Sequence, residues 1–271
     1  MARYLIVNAD DYGLTAGVSR AILRAHHQGI LTSTTFMVNF PWAGEMAAML
    51  AEAPHLGVGL HLNLTTGAPV LPPDEVPSLV GPDGGFGRNL LRLLRSARPA
   101  EAEREWSAQL ERFVALVGRP PTHLDTHRYL QAWPPLCRAM LAVARRYGVR
   151  AVRVLPPDVF PPGTFPRWSP AALVLRAALR RTTALVRQSG LRSPDRTLAG
   201  DFDLQGLLAR LDQAGEGVTE IVTHPGEVDD QLRALSSLRK QREVELAALT
   251  APAARERVGW LGIRLIHFGD L

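Results

Sequence analysis

Residues 4–38 have the sequence YLIVNADDYGLTAGVSRAILRAHHQGILTSTTFMV, in which two short apolar segments flank a helical one. We predict a strand over 4–7, a helix over about 15–28 that Gly29 closes, and a second strand over 32–38, where Thr, branched and aromatic residues are frequent. A strand, a helix and a second strand in this order are typical of parallel strands joined by a helical crossover.

The same alternation continues to the end of the chain. Further strands are predicted over 58–64, 122–126, 151–154, 219–223 and 263–268, with helices over about 42–52, 100–117, 134–147, 204–214 and 229–249. About seven strands separated by helices predict an α/β fold with a parallel sheet. Closure into a (β/α) barrel is favoured over an open sheet, because no G-x-G-x-x-G follows the first strand and no Walker A motif is present.

Length and composition indicate one globular domain over residues 1–271, with irregular loops near 66–87 and 156–170. The chain is 46% hydrophobic and 21% charged, which excludes a disordered or collagenous protein, and its one cysteine, Cys137, excludes an internal disulfide. The N-terminal apolar run is too short for a signal peptide, and no stretch has the eighteen or so uncharged residues of a membrane span. We therefore expect a cytoplasmic protein with no membrane span.

The net charge of +5 comes from 31 basic and 26 acidic residues, and nearly all the basic residues are arginines. Because they are spread among acids and alanines in helical segments, we interpret them as solvated helix faces and expect no nucleic-acid partner. The densest stretch, 167–196, has few acids, and an anionic partner or substrate remains the alternative for it.

Carboxylates and imidazoles follow several predicted strands at the point where each strand ends. They are Asp10, Asp11, His61, His123, Asp125, His127 and His224. Each has an ordinary alternative, since an Asp pair often caps a turn or helix, a single His often packs in a core, and a His before Pro-Gly often begins a turn. Catalytic residues of barrels lie at this edge of the sheet, so their coincidence there favours one shared site.

One carboxylate and two imidazoles suit a metal ion that keeps open positions for water and substrate. Such an ion acidifies water and polarises a carbonyl oxygen. Of two adjacent aspartates, whose side chains diverge at a strand end, one would bind the metal and the other would take the proton of the water. A histidine from another strand would protonate the leaving group.

Five sequence blocks resemble the YdjC/ChbG-like carbohydrate deacetylase family, in family order, from residue 3 to about 230. The blocks are LIVNADDYG (5–13), GILTSTT (29–35), GVGLHLNLT (57–65), PTHLDTH (121–127) and THPG (223–226). The resemblance implies a distorted (β/α) barrel related to polysaccharide deacetylases. It also implies hydrolysis of the acetamide of an N-acetylated amino sugar, with a divalent metal ion, Mg or Zn, as cofactor.

The resemblance assigns roles by position in this sequence. The implied metal ligands are Asp11, His61 and His127. Asp10 is implied as the general base and His224 as the general acid. Asp125 would orient an imidazole, with a cap or turn as the alternative for this residue.

The chain departs from many relatives after His127, where it reads Arg-Tyr-Leu-Gln-Ala-Trp in place of further histidines. Tyr12, Tyr129 and Trp133 lie near the matching blocks and offer aromatic surfaces to a sugar. The expected partner is a small carbohydrate substrate. For the oligomeric state, a homodimer and a monomer both stay open. Two alternatives stay open: a metal-dependent barrel hydrolase acting on another acyl or phosphate ester, and a non-catalytic carbohydrate-binding barrel.

Overall fold

The structure, a computed structural model, describes residues 2–87, 89–155, 157 and 169–271. The strands are β1 (Arg3–Tyr12), β2 (Ser33–Phe36), β3 (Gly57–Leu62), β4 (Leu124–Thr126), β5 (Arg196–Leu198), β6 (Gly217–Thr223) and β7 (Ile263–Leu265). The helices are α1 (Ala16–Gln28), α2 (Ala43–Met49), α3 (Leu90–Ser96), α4 (Pro99–Val117), α5 (Pro134–Arg146), α6 (Pro170–Gln188), α7 (Leu204–Gln213), α8 (Asp230–Leu235), α9 (Lys240–Thr250) and α10 (Pro252–Trp260). The irregular loop predicted near 156–170 lies almost wholly outside the described residues.

The strands form one parallel sheet with the order β4-β3-β2-β1-β6-β5, and β7 pairs with the first residues of β1. Isolated parallel bridges continue the sheet beyond β4: Leu124 pairs with Val152, and Ala151 pairs with Arg192. Arg192 lies four positions before β5, so these bridges join the two ends of the sheet. The predicted distorted (β/α) barrel is confirmed, and its closure is made by bridges too short to count as strands.

The first strand lies in the middle of the sheet, between β2 and β6. From Leu5 to Tyr12 every residue is buried, as expected for a parallel strand covered on both faces. The turn after it is closed by Thr15, whose Oγ1 accepts a hydrogen bond from the Val18 amide at 3.2 Å and so begins α1. The carboxyl end of β1 is thereby fixed in position.

Several details differ from the sequence prediction, which contained neither α3 nor α10. The segment predicted as one helix over 229–249 forms two helices. Between them, Ser236 Oγ accepts a hydrogen bond from the Leu238 amide at 3.1 Å, so this amide is paired without a helical carbonyl. The strand predicted over 151–154 forms only the bridges above. β5 was missed, since three residues within an arginine-rich stretch carry too little alternation to indicate a strand.

The loop predicted near 66–87 is held against α4 by two buried carboxylates. Glu105 accepts hydrogen bonds from the Val70 amide at 2.9 Å and the Leu71 amide at 3.0 Å. Glu101 accepts one from the Ser78 amide at 2.8 Å. The loop is therefore a fixed wall of the molecule. Among the described helices, we find none with both the length and the apolar character needed to cross a membrane.

Candidate active site

A cavity of about 490 Å³ opens at the carboxyl ends of the strands. Five of the six residues predicted for the site line it: Asp10, Asp11, His61, His127 and His224. The sixth, Asp125, is fully buried behind His61. The fold therefore brings all six predicted residues to one place, from β1, β3, β4 and the ends of β4 and β6.

Both aspartates of β1 line the cavity because the strand is irregular there. Regular alternation would send neighbouring side chains to opposite faces of the sheet. The pairing of β1 with β2 shifts register between Ala9 and Tyr12, and Asp11 has a left-handed backbone with φ of 71°. A bulge of this kind redirects a side chain, and Asp tolerates the left-handed region better than most residues.

One carboxylate oxygen of Asp11 faces two imidazole nitrogens at the floor of the cavity. Asp11 Oδ1 lies 3.4 Å from His61 Nε2 and 3.9 Å from His127 Nε2. This carboxylate oxygen is buried and has no hydrogen-bond partner. An unpaired buried oxygen facing two imidazole nitrogens fits the donor set of a metal ion.

The remaining polar atom of each of these three side chains is bound elsewhere. His61 Nδ1 lies 2.6 Å from Asp125 Oδ1, and His127 Nδ1 lies 2.5 Å from the hydroxyl of Thr65. Asp11 Oδ2 accepts a hydrogen bond from Arg242 at 2.5 Å. Partners of this kind fix the orientation of ligand side chains, so both imidazole Nε2 atoms are held on the side of Asp11 Oδ1.

Behind the cavity, a fully buried arginine binds three carboxylates. Arg153 donates to both oxygens of Asp10, at 2.7 and 2.8 Å, and to Glu220 Oε1 at 2.8 Å. It also lies 2.5 Å from Asp125 Oδ2. Among the described residues, Asp10, His61 and Asp125 are the group that could hold a cation with ligand atoms all within 4.8 Å of one another, a spacing that Asp11, His61 and His127 do not meet together.

Charged neighbours outweigh burial in setting the pKa values of Asp10, Asp11 and His61, whereas burial sets the pKa of His127. Burial alone would raise the pKa of Asp10 and Asp11, but Arg153 and Arg242 respectively hold both pKa values well below the usual range. Burial would lower the pKa of His61, but Asp125 and Asp11 raise it to about 10. Burial lowers the pKa of His127 to about 4. His127 is therefore neutral near pH 7, the state in which imidazole binds a metal.

His224 completes the cavity from the end of β6. Its Nε2 lies 3.9 Å from Asp10 Oδ2, and a quarter of its side chain is exposed. Its backbone amide donates to Glu245 Oε2 at 2.7 Å, which fixes the residue where the strand ends. A carboxylate and an imidazole thus face the same space from two strands, as a general base and a general acid require.

The family model for YdjC-like proteins matches residues 4–259. The chain belongs to the YdjC-like family. It is 36% identical to a carbohydrate deacetylase from Brevibacillus brevis, over 98% of this chain and 99% of the relative. It is 33% identical to a chitooligosaccharide deacetylase from Serratia marcescens, over the whole of both chains.

A solved structure from Enterococcus faecalis V583, provisionally described as a cellobiose-phosphate cleavage protein, is also similar to this YdjC-like chain. The two share 30% sequence identity with a TM-score of 0.85, over 100% of this chain and 99% of that one. The resemblance inferred from the five sequence blocks is thereby confirmed.

The sequence alone did not identify Arg153 and Arg242 as residues of this YdjC-like site. A signal existed for Arg153, which interrupts the apolar run Ala151-Val-Arg-Val-Leu155 at the end of a predicted strand. A charge in such a run requires buried partners. Arg242 lies on α9 among other charged residues, and nothing in its neighbourhood marks it as the partner of a residue 231 positions away.

Some residues considered from the sequence lie outside the cavity. His123 is fully buried and stacks on Phe268, with ring centroids 3.6 Å apart, so it is a core residue. Tyr12 is buried against Phe36 and donates its hydroxyl to the Met46 carbonyl. Of the three aromatic residues suggested as sugar contacts, Tyr129 lines the cavity.

Proposed function

We propose that this protein is a metal-dependent carbohydrate deacetylase that hydrolyses the acetamide of an N-acetylated amino sugar. The observation that carries the proposal is that the unpaired Asp11 Oδ1 faces His61 Nε2 and His127 Nε2 in a cavity that Asp10 and His224 also line. The names of the relatives support the same activity, since they include carbohydrate and chitooligosaccharide deacetylases.

Asp11, His61 and His127 are the better of the two candidate ligand sets. In the alternative set, both oxygens of Asp10 and one oxygen of Asp125 are bound by Arg153. The other oxygen of Asp125 lies 2.6 Å from His61 Nδ1. A cation there would have to displace a buried guanidinium, whereas Asp11 Oδ1 has no partner to lose.

Two imidazoles and one carboxylate favour Zn²⁺ over Mg²⁺, because Mg²⁺ prefers oxygen ligands. A bound ion of this kind supplies Lewis acidity toward the acyl oxygen and lowers the pKa of water. Asp125 in this arrangement fixes the His61 ring through Nδ1, so that Nε2 faces the ion.

The protein's own groups would carry the proton transfers. Asp10 is held ionised by Arg153 and would accept the proton of the attacking water as that water adds to the acetamide carbon. His224, whose Nε2 lies 3.9 Å from Asp10 Oδ2, would donate a proton to the sugar nitrogen as the carbon–nitrogen bond breaks. The products are acetate and a free amino sugar, and without that protonation the amine is a poor leaving group.

Replacement of Asp10 by Asn tests both the base and the ligand set. We expect Asp10→Asn to retain bound metal and to lower acetate release from N-acetylglucosamine oligomers by roughly 100-fold or more, the usual contribution of a general base. Metal content of the purified protein and acetate release are the two measurements. Asp212→Asn, which removes a surface carboxylate paired with Arg257, is the control.

The outcomes separate this proposal from its alternatives. Unchanged turnover in Asp10→Asn would exclude this residue as the base, and loss of metal from that variant would favour the Asp10, His61 and Asp125 set. Phosphate release without acetate release would favour another metal-dependent hydrolase. Sugar binding with neither metal nor turnover would favour a non-catalytic barrel.

A further inference from the structure

One arginine of α9 is turned into the barrel. The side chain of Arg242 is 2% exposed, whereas its neighbours Arg239, Lys240 and Glu243 are exposed. Burial removes the hydration of a guanidinium, so a buried arginine needs partners inside the protein. Arg242 lines the active-site cavity, and its carboxylate partner there is Asp11, a proposed metal ligand.

The stem of Arg242 is held so that the guanidinium has a fixed position. Its Nε donates a hydrogen bond to the Leu238 carbonyl at 3.1 Å, and the Gly226 amide donates to the Arg242 carbonyl at 3.2 Å. A Cβ atom at position 226 would lie 2.9 Å from Arg242 Cδ, closer than such atoms approach, so the glycine makes room for the stem. The guanidinium is therefore fixed beside Asp11.

The contact with Arg242 occupies one oxygen of Asp11 and leaves the other. Arg242 Nη2 donates to Asp11 Oδ2 at 2.5 Å. The second oxygen, Oδ1, is buried without a hydrogen-bond partner and lies 3.4 Å from His61 Nε2 and 3.9 Å from His127 Nε2. A charge-assisted hydrogen bond is roughly twice as strong as a neutral one, so Arg242 competes with a cation for Oδ2 and not for Oδ1.

The neighbouring aspartate is bound by an arginine in a different way. Arg153 donates to both oxygens of Asp10, at 2.7 and 2.8 Å, in a two-point arginine–carboxylate pair. Both oxygens of Asp10 are thus engaged, whereas Asp11 keeps Oδ1 unpaired. The two arginines therefore distinguish two adjacent carboxylates, and one of these carboxylates has a single oxygen available to a metal ion.

Arg242 itself is incompletely satisfied. Its Nη1 is buried and has no hydrogen-bond partner among the described residues, whereas Arg153 binds three carboxylates. A buried donor without a partner costs free energy, so an arginine that served stability alone would be poorly placed here. Its contact with Asp11 explains why it is retained in the cavity wall.

The number of donor atoms explains why one oxygen matters. A carboxylate can bind a cation through one oxygen or through both. With one oxygen of Asp11 and the Nε2 atoms of His61 and His127, the protein supplies three donors, as in catalytic zinc sites, and a fourth position is available to water. With both oxygens of Asp11 the protein would supply four donors, the number of a closed structural site.

We propose that Arg242 is a positioning residue, which restricts Asp11 to a single ligand oxygen and keeps one coordination position open for water. The inference rests on the proposed metal-dependent activity and deepens it, because it assigns a function to a residue outside the ligand set. Removal of the guanidinium frees Oδ2, and Asp11 then binds the metal through both oxygens.

Infrared difference spectra of the protein with and without Zn²⁺ test the binding mode of Asp11. The two carboxylate stretching bands lie farther apart when one oxygen binds the metal than when both do. Asp11 is the one carboxylate of the proposed ligand set, and Asp11→Asn identifies its bands by their loss. We expect the wide separation in the wild type and the narrow one in Arg242→Met.

Two further variants separate positioning from structural support. Arg242→Lys restores a cationic donor near Oδ2 and should return the band separation toward that of the wild type. Arg239→Met removes hydrogen bonds to the carbonyls of Arg233 and Ser236 and should leave the separation unchanged. Turnover should fall by roughly tenfold to 100-fold in Arg242→Met, as is usual when a group behind a metal ligand is lost, and should recover in part in Arg242→Lys.

A crystal structure of the Zn²⁺-loaded wild type tests the inference even if Arg242→Met does not fold. Asp11 Oδ1 should lie on the metal and Oδ2 should remain on Arg242, and both oxygens on the metal would overturn the inference. Equal band separations in the wild type and Arg242→Met, or a narrow one in Arg239→Met, would overturn it while the metal-dependent activity stands. Absence of bound Zn²⁺ from the wild type would instead overturn the proposed activity and this inference together.

Discussion

Glu220 and Arg153 illustrate how a single buried pair sets the electrostatics behind the site. Burial raises the pKa of Glu220 from 4.5 to about 7, although Arg153 acts in the opposite direction. Since the folded pKa exceeds the unfolded one, the folded protein binds an extra proton between these two pH values. The stability that this proton contributes is complete below pH 4.5 and is lost as the pH rises through about 7.

Substitution of Glu220 by Gln removes this titration and keeps the shape of the side chain. We expect the free energy of unfolding of the wild type, relative to Glu220→Gln, to fall as the pH rises from about 4.5 to about 7.5. Urea unfolding at several pH values measures this difference. Glu243→Gln, at an exposed position of α9, is the control. A difference that does not vary with pH would contradict the shift.

At the scale of residues, the ion pairs of the site with Arg153 and Arg242 could not be predicted from the sequence. Each of the six predicted site residues lies within the last three residues of a strand or directly after it, so position along the chain was enough to place them together. The cations that hold Asp10 and Asp11 come from 143 and 231 positions away and belong to no local pattern. Such pairs depend on closure of the barrel, which strand periodicity does not specify.

At the scale of elements, most strands and helices were predicted, whereas β5 and the break between α8 and α9 were not. α1 and α4 carry an apolar face over 13 and 19 residues, so their sequence period is evident. β5 has three residues, and its position depends on pairing with β6. The break between α8 and α9 depends on the hydrogen bond between the Ser236 side chain and the Leu238 amide. Such tertiary and side-chain contacts have no periodic signal.

The loop over 66–87 has little regular structure, and hydrogen bonds to Glu105 of α4 hold it in place. Glu105 accepts hydrogen bonds from the Val70 and Leu71 amides and from Gln109 Nε2. Glu105→Ala would leave these donors buried without an acceptor, and we expect a loss of at least about 2 kcal/mol in the free energy of unfolding. Urea denaturation measures the loss.

Glu103→Ala serves as the matched control for this element, since Glu103 lies on the same helix and pairs with Arg146 at the surface. Its cost should be about 0–1 kcal/mol, as for other exposed ion pairs. Equal losses in the two variants would mean that the loop is not held by Glu105.

At the scale of the whole molecule, the barrel gathers side chains from widely separated segments into one cavity. The order β4-β3-β2-β1-β6-β5 places β1 between β2 and β6 along the sheet. Asp10 and Asp11 therefore lie between His61 on one side and His224 on the other. Organisation as a single domain, a cytoplasmic location, a homodimer and the absence of a nucleic-acid partner stay predictions from the sequence.

Cation binding at the floor of the cavity should stabilise the entire fold. A ligand that binds only the folded state at 100 times its dissociation constant contributes about 2.7 kcal/mol. For a chain of this size that corresponds to a rise in Tm of several degrees. We expect Zn²⁺ to raise the Tm of protein previously treated with chelator, measured by thermal unfolding with and without the metal.

His127→Ala decides which ligand set produces this rise, because His127 belongs to one set and His61 to both. Loss of the Nε2 donor 3.9 Å from Asp11 Oδ1 should abolish most of the Tm rise. His55→Ala removes an exposed imidazole that does not line the cavity and should keep the rise intact. A full rise in His127→Ala would place the cation among Asp10, His61 and Asp125 instead, and Arg153 would then have to yield its carboxylates to the metal.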